Sequence, residues 1–127
     1  SEFVTAAIAS LERTAYANTE VIFIDNSRGR HPEGIAFLRE QPVTVLERDE
    51  TFNWAKLNND GAREARGQLL LFINDDVEAA DPEWLTSMVR QAARPEIGAV
   101  GAMLRYPDGT IQHAGAKGTV ENDACQR

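Results

Sequence analysis

Short, continuously apolar runs alternate with amphipathic stretches along this chain, and that alternation limits the folds open to it. Residues 21–24 (VIFI), 43–46, 68–73 (QLLLFI) and 97–104 have the length and branching of strands buried on both faces. Between them the apolar spacing changes to three and four. Val4, Ala7, Ile8 and Leu11 predict a helix over about 4–14, and Pro32 suits the first turn of another that runs to about Glu40. Trp54, Leu57, Ala62 and Ala65 mark one face of a helix over 53–66, with Gly67 placed to stop it. Asp81-Pro82-Glu83 combines a capping acid, a first-turn proline and a second acid, and Trp84, Leu85, Met88, Val89 and Ala92 form the buried face of the helix it opens. Helix and strand in strict alternation predict an α/β fold, a mostly parallel sheet with helices on both faces. Tyr106-Pro-Asp-Gly-Thr110 reads as a tight turn leading into a short extended segment. With no repeat or linker, residues 1–127 read as one domain, and 116–127, whose periodicity is weak, as a loop or helical tail.

Charge and cysteine content narrow the function classes. Thirteen Lys and Arg against twenty Asp and Glu leave a net charge of −7, which repels polyanions and argues against nucleic-acid binding. No apolar run approaches the roughly 20 residues a membrane helix needs, and no signal peptide is evident, so a cytoplasmic setting is expected. Cys125, the single cysteine, excludes an internal disulfide and a cysteine-cluster metal site.

Two apolar strands end in acids. Residues 21–24 lead into Asp25-Asn26-Ser27, and residues 69–73 into Asn74-Asp75-Asp76. In an open parallel sheet, ligands collect beyond the carboxyl ends of the strands, so a shared cleft is expected. Adjacent carboxylates repel unless water or a cation screens them, and Mg or Mn, which favour hard oxygen ligands, would relieve that cost. Taken singly, each acidic turn is an ordinary solvated turn or cap.

The helix between the two turns, "FNWAKLNNDGAREARG", joins them into a larger pattern. Together with "SLERTAYANTEVIFIDNSR", "GQLLLFINDDVEAADPEWL" and "RPEIGAVGAMLRYPDGTIQHAG", it resembles the family 2 glycosyltransferases, whose Rossmann-like nucleotide-sugar-binding domain is called GT-A. The likeness spans residues 4–115 and is nearest to bacterial, rhamnosyltransferase-like enzymes of surface polysaccharide synthesis. It implies that Asp25 contacts the nucleobase of the donor, that Asn53 and Asn59 lie near the nucleotide, and that Asn74-Asp75-Asp76 is a version of the DXD motif. Asp75 then faces the ribose or diphosphate and Asp76, with Asp75, holds Mg or Mn. Asn74 departs from the commoner acid at its position.

The same resemblance implies a nucleotide-diphosphate sugar donor, a saccharide or lipid-linked acceptor, inversion at the anomeric carbon, and placement in the cytoplasm, peripheral to the inner face of the membrane in the full-length protein. It also implies a strand before the first helix. This chain enters helical spacing directly, so it reads as a partial domain, the donor-binding portion, inactive alone and prone to self-association or strand exchange through unpaired edges. No general base is identifiable; Glu121 and Asp123 fall where the resemblance stops. His113 either lines the acceptor side or is a structural hydrogen-bonding histidine. Trp84 and His31 read as packing and an exposed helix start, and Arg48, after a strand, as a solvated arginine or one that meets a phosphate.

Two rival classes share parts of this pattern. A non-catalytic nucleotide-binding or assembly module would keep the cleft without the chemistry. A phosphoryl-transfer receiver domain would want its acidic pair after the first strand and a late lysine, an order this chain does not follow.

Overall fold

The computed structural model describes residues 2–115, 120–121 and 124–125. The chain divides into two compact units, Ser1–Thr86 and Ser87–Arg127.

In the first unit, α1 (Glu2–Glu12) is followed by β1 (Ile22–Asp25), α2 (Pro32–Arg39), β2 (Thr44–Glu47) and α3 (Trp54–Glu64); α4 (Trp84–Ala92) starts there and continues into the second unit. β1 and β2 form a parallel pair in which Ile22 faces Thr44 and Asp25 faces Glu47. This is the α/β arrangement the alternation predicts. Ala7 and Ile8 of α1, Leu38 of α2 and Leu57 of α3 are the buried apolar side chains among the described residues. Each lies on the apolar stripe of its helix, which is what a 3.6-residue period delivers to a core.

Gly61 sets how α3 meets the sheet. A Cβ built there would stand 2.8 Å from Cδ1 and 3.5 Å from Cγ1 of Ile24, so the helix rides close on β1 with the tip of Ile24 against the glycine. Gly61→Ala should be close to neutral: the roughly 1 kcal/mol gain in helix propensity offsets a contact that the tip of Ile24 can relieve. Gly61→Val adds two further methyl groups and should destabilise by about 1–3 kcal/mol in urea or thermal unfolding.

The expected strand at 68–73 is not formed. Leu69, Leu70, Leu71, Phe72 and Ile73 are 41–52% exposed and join no ladder among the described residues. An apolar run is not sufficient for a strand; its backbone groups need a neighbouring strand alongside, and β1, engaged by β2 on one edge, pairs with nothing described on the other. Phe72 does reach α3, where its ring lies 6.3 Å from that of Trp54 at 53°. The region after Ile73 is anchored from α1. The buried Ser10 Oγ accepts from Ala79 N at 2.8 Å, Ala15 N donates to Pro82 O at 2.9 Å, and Trp84 Nε1 donates to Thr14 Oγ1 at 2.9 Å. The helix expected from Asp81 begins at Trp84, because Asp81 Oδ1 first accepts from Glu83 N in a turn. Trp84, Leu85, Met88, Val89 and Ala92 are half-buried, as the spacing predicts.

In the second unit, the expected strand over 97–104 shrinks to β3 (Leu104–Arg105), paired antiparallel with β4 (Ile111–His113). Gly98, Ala99, Gly101 and Ala102 offer little side chain to bury, and all four are exposed. The turn at 106–110 forms as predicted: Gly109 N donates to Tyr106 O at 2.9 Å, and Gly109 takes the φ of 88° that favours glycine. Asp108 Oδ1 accepts from the hydroxyl and the amide of Thr110, and these bonds hold its carboxyl below the usual range. The tail, expected as a loop or helix, contains β5 (Val120–Glu121) and β6 (Ala124–Cys125) as an antiparallel pair. Asp123 lies outside the described residues.

Candidate nucleotide-binding clefts

The carboxyl ends of β1 and β2 are fastened to each other by the residues that follow them. Arg48 N donates to Asp25 O at 2.8 Å, and Asn26 Nδ2 donates to both Arg48 O, 2.9 Å, and Glu50 O, 2.8 Å. Asn26 is therefore the clamp between the two strand-end loops. It reads in the sequence as a turn residue, and nothing in the local pattern indicates that its amide spans 22 and 24 positions to a second loop.

Beyond this clamp lies a cleft of about 330 Å³ lined by Asp25, Arg28, Gly29, Glu47, Arg48 and Asp49. A neighbouring one of about 470 Å³ is lined by Asn26, Arg28, Arg30, Thr51 and Phe52. Both volumes lie in the range of small-molecule sites, and both sit where a parallel sheet gathers ligands.

The loop between β1 and α2 is unusual in its backbone. Arg28 has φ 55° and Gly29 φ 75°, and Arg30 N donates to Ser27 O at 3.2 Å, so two successive left-handed residues close a tight turn. Glycine accepts this conformation freely; an arginine there costs about 1–2 kcal/mol. The Asp25 carboxylate braces the turn by accepting from Ser27 N at 2.9 Å through Oδ1, which leaves Oδ2 to the cleft. Ser27 Oγ is the buried side-chain polar atom without a hydrogen-bond partner among the described residues.

α3 follows the second strand-end loop and is tied to it. Asn53, predicted to lie near the nucleotide, is the N-cap of this helix, its Oδ1 accepting from Lys56 N at 3.0 Å. Asp60 ties α3 to β2 by accepting from Arg48 Nε at 3.1 Å, and it also engages Lys56 and Arg63. The Arg48 bond, aided by Lys56, holds the Asp60 carboxyl below its ordinary range against a partly opposing desolvation, and hydrogen bonding to Glu50 raises Lys56. Arg48, expected to be solvated or to meet a phosphate, is thus a strut between strand and helix. Glu20 accepts from the Arg66 amide and Nε just beyond α3; the backbone bond is the larger cause of its lowered pKa.

Of the residues predicted for the site, the structure brings Asp25 into a cleft. Asn53 and Asn59 line neither cleft, and Asn59 is exposed on α3. Asp75 and Asp76 form an exposed turn, also outside both clefts. His113 is exposed on β4, opposite Leu104, in the second unit. Among the described residues no cluster of three or more His, Cys, Asp or Glu is assembled that would enclose a metal by itself. The Asp75–Asp76 pair nonetheless suits Mg or Mn in its chemistry: two exposed hard-oxygen ligands, neither engaged by a described cation or donor, can be completed by water and substrate phosphates.

A parallel strand pair with clefts at its carboxyl ends, flanked by helices, defines an α/β domain. Residues 1–122 match the family described as Glycosyl transferase family 2, and the chain belongs to that family. It is 47% identical over 108 residues to the O-antigen biosynthesis protein RfbC of Myxococcus xanthus, covering 83% of this chain and 8% of that protein. It is 43% identical over 109 residues to the uncharacterized protein y4gI of Sinorhizobium fredii (strain NBRC 101917 / NGR234), covering 83% of this chain and 12% of that protein. The chain thus spans a small part of the length of these relatives. No solved structure matches it.

Proposed function

We propose that this domain is the nucleotide-sugar donor-binding portion of an inverting, metal-dependent glycosyltransferase of bacterial surface polysaccharide synthesis. Family membership supports glycosyl transfer, and the 47% identity to a protein named for O-antigen biosynthesis supports the pathway class. The observation that carries the reading is the placement of Asp25 in a small-molecule-sized cleft at the carboxyl ends of the parallel pair. A carboxylate accepts hydrogen bonds only, so it selects the N–H groups of a base or the hydroxyls of a ribose.

Asp76, with Asp75, would hold Mg or Mn. Such an ion, when bound, supplies positive charge to the departing nucleoside diphosphate as the anomeric bond breaks. The part of the chain itself is to bind and orient: Asp25 holds the nucleoside, the Asn26 clamp keeps its loop in place, and Asp75 faces the ribose or diphosphate. Asn53 and Asn59 flank the nucleotide from α3, and His113 serves the acceptor side, where a saccharide or lipid-linked hydroxyl attacks. The proposed setting is the cytoplasm, at the inner face of the membrane; among the described residues no helix is long and apolar enough to cross a membrane.

Calorimetric titration of the intact protein with UDP, dTDP and GDP sugars, with and without Mn, tests this reading. Binding that Mn strengthens, with that gain lost in Asp76→Ala, supports it. Equal binding without Mn and in the variant would leave a nucleotide-binding module without metal chemistry.

The edge of β1 that no described strand pairs and the exposed segment 69–73 support a further expectation, strand exchange between copies of the isolated 127-residue chain. Sedimentation should show dimers or larger species at micromolar concentration. A compact monomer throughout would count against it.

A further inference from the structure

The two strand-end clefts have opposite chemistry. The one holding Asp25 is lined by three carboxylates, Asp25, Glu47 and Asp49, against the guanidiniums of Arg28 and Arg48. Arg48 is already committed, with Nε on Asp60 and Nη1 on Glu47 O. Glu47 Oε2 likewise accepts from Arg39 Nη2 at 2.8 Å, so Asp25 and Asp49 supply the open acceptors of this cleft. Its neighbour holds no carboxylate at all; Arg28, Arg30, Thr51, Asn26 and Phe52 line it. In a chain of net charge −7 a cleft walled by two arginines and no acid is a local reversal of field.

Both arginines are held at Nε and open at their tips. Arg28 Nε donates to Glu50 O at 3.2 Å and stands 3.9 Å from Asp49 Oδ1, while Arg30 Nε donates to Ser27 O at 2.7 Å. Their Nη atoms engage no described residue, so each presents a planar fork of donors whose stem is fixed. The left-handed conformation of Arg28, φ 55°, is the observed backbone outlier, and Arg28 is the residue common to both clefts. Phe52, 69% exposed, adds an apolar ring to the donor-rich cleft.

We infer that Arg28, Arg30 and Thr51 form an oxyanion site beside the Asp25 cleft, which takes the phosphates of a nucleoside diphosphate whose nucleoside lies against Asp25, with Arg28 at the junction. The inference rests on the donor-binding reading above and names the residues that read the charged half of the donor. The matching is chemical: a nucleoside offers N–H and O–H donors to the acceptor-rich cleft, and a diphosphate offers only acceptors to the forks of the arginines. The Asp75–Asp76 pair meets phosphate only through a cation, whereas this site binds phosphate directly and without one.

That difference sets the test. The intact protein is titrated in EDTA with uridine, thymidine and guanosine, their diphosphates, and inorganic pyrophosphate, using wild type, Arg30→Gln, Arg28→Gln and the charge-keeping Arg30→Lys. Circular dichroism melts accompany each variant to show that the fold is kept. The expected result is a nucleoside diphosphate that binds more tightly than its nucleoside. Arg30→Gln should weaken the diphosphate and pyrophosphate about tenfold while leaving the nucleoside unchanged, and Arg30→Lys should fall between. Pyrophosphate binding that depends on Arg30, with no affinity for any nucleoside, upholds the oxyanion site and removes the donor reading. Diphosphate affinity untouched by both glutamine variants overturns the site and leaves the donor reading standing. Absence of any anion binding by well-folded wild type overturns the site as well.

Discussion

Turnover by the intact enzyme with Asp76→Ala is expected to drop by roughly two to three orders of magnitude, the range seen when one preorganised electrostatic contact to developing charge is removed. Asp75→Ala should cost less, since Asp75 is proposed to face the ribose or diphosphate as well as support the ion. The physical basis is the isolation of the pair: two adjacent carboxylates in an exposed turn, without a described hydrogen-bond donor or cation beside them, have no structural work to lose. Thermal stability of Asp76→Ala should therefore match wild type, or rise slightly as like-charge repulsion is relieved. Steady-state kinetics across a Mn titration, alongside melting curves, separates the two effects. A stable variant with undiminished kcat would remove Asp76 from the mechanism.

Asn26→Asp should be strongly destabilising. In the native chain one amide nitrogen donates to the carbonyls of Arg48 and Glu50. If an oxygen replaces that nitrogen, a charged acceptor faces two acceptors in a half-buried position, so both bonds are lost and repulsion is added. The expected cost is about 3 kcal/mol, or a fall in Tm of roughly 10 °C, against about 2 kcal/mol for Asn26→Ala, which only deletes the bonds. Donor binding should weaken in both, because the loop carrying Asp25 and Arg28 is no longer fastened to the loop carrying Arg48 and Asp49. Denaturant unfolding of the two variants side by side gives the answer: an aspartate no worse than alanine would mean that the amide does not bridge the loops in solution.

The parts of the fold legible in the sequence are those whose signal is local. α1, α2 and α3 appear within two residues of where apolar spacing, Pro32, Asn53 and Gly67 put them, and β1 and β2 within one. The turn at Gly109 is likewise written in neighbouring residues, since its φ of 88° favours glycine. Residues 68–73 and 97–104 carry apolar residues of strand length and yet join at most a two-residue ladder, because a strand is a relation between segments and neither run contains its partner. The same distinction governs the site. Asp25 is recognisable as the acid ending an apolar strand, while the roles of Asn26, Arg28 and Arg30 depend on where residues 47–52 fall in space.

The sequence by itself determined the α/β class, the positions of the helices, the acids at Asp25, Asp75 and Asp76, and a resemblance that the match over residues 1–122 bears out. It could do so because hydrophobic period, capping and motif spacing act over a few residues. Only the tertiary structure decided that Asn26 clamps two strand ends, that Gly61 admits Ile24 against α3, and that an acceptor-rich cleft adjoins a donor-rich one across Arg28. Those are contacts between residues 22 to 37 positions apart, and hydrogen-bond direction and van der Waals distance, which decide them, exist only once the chain has folded.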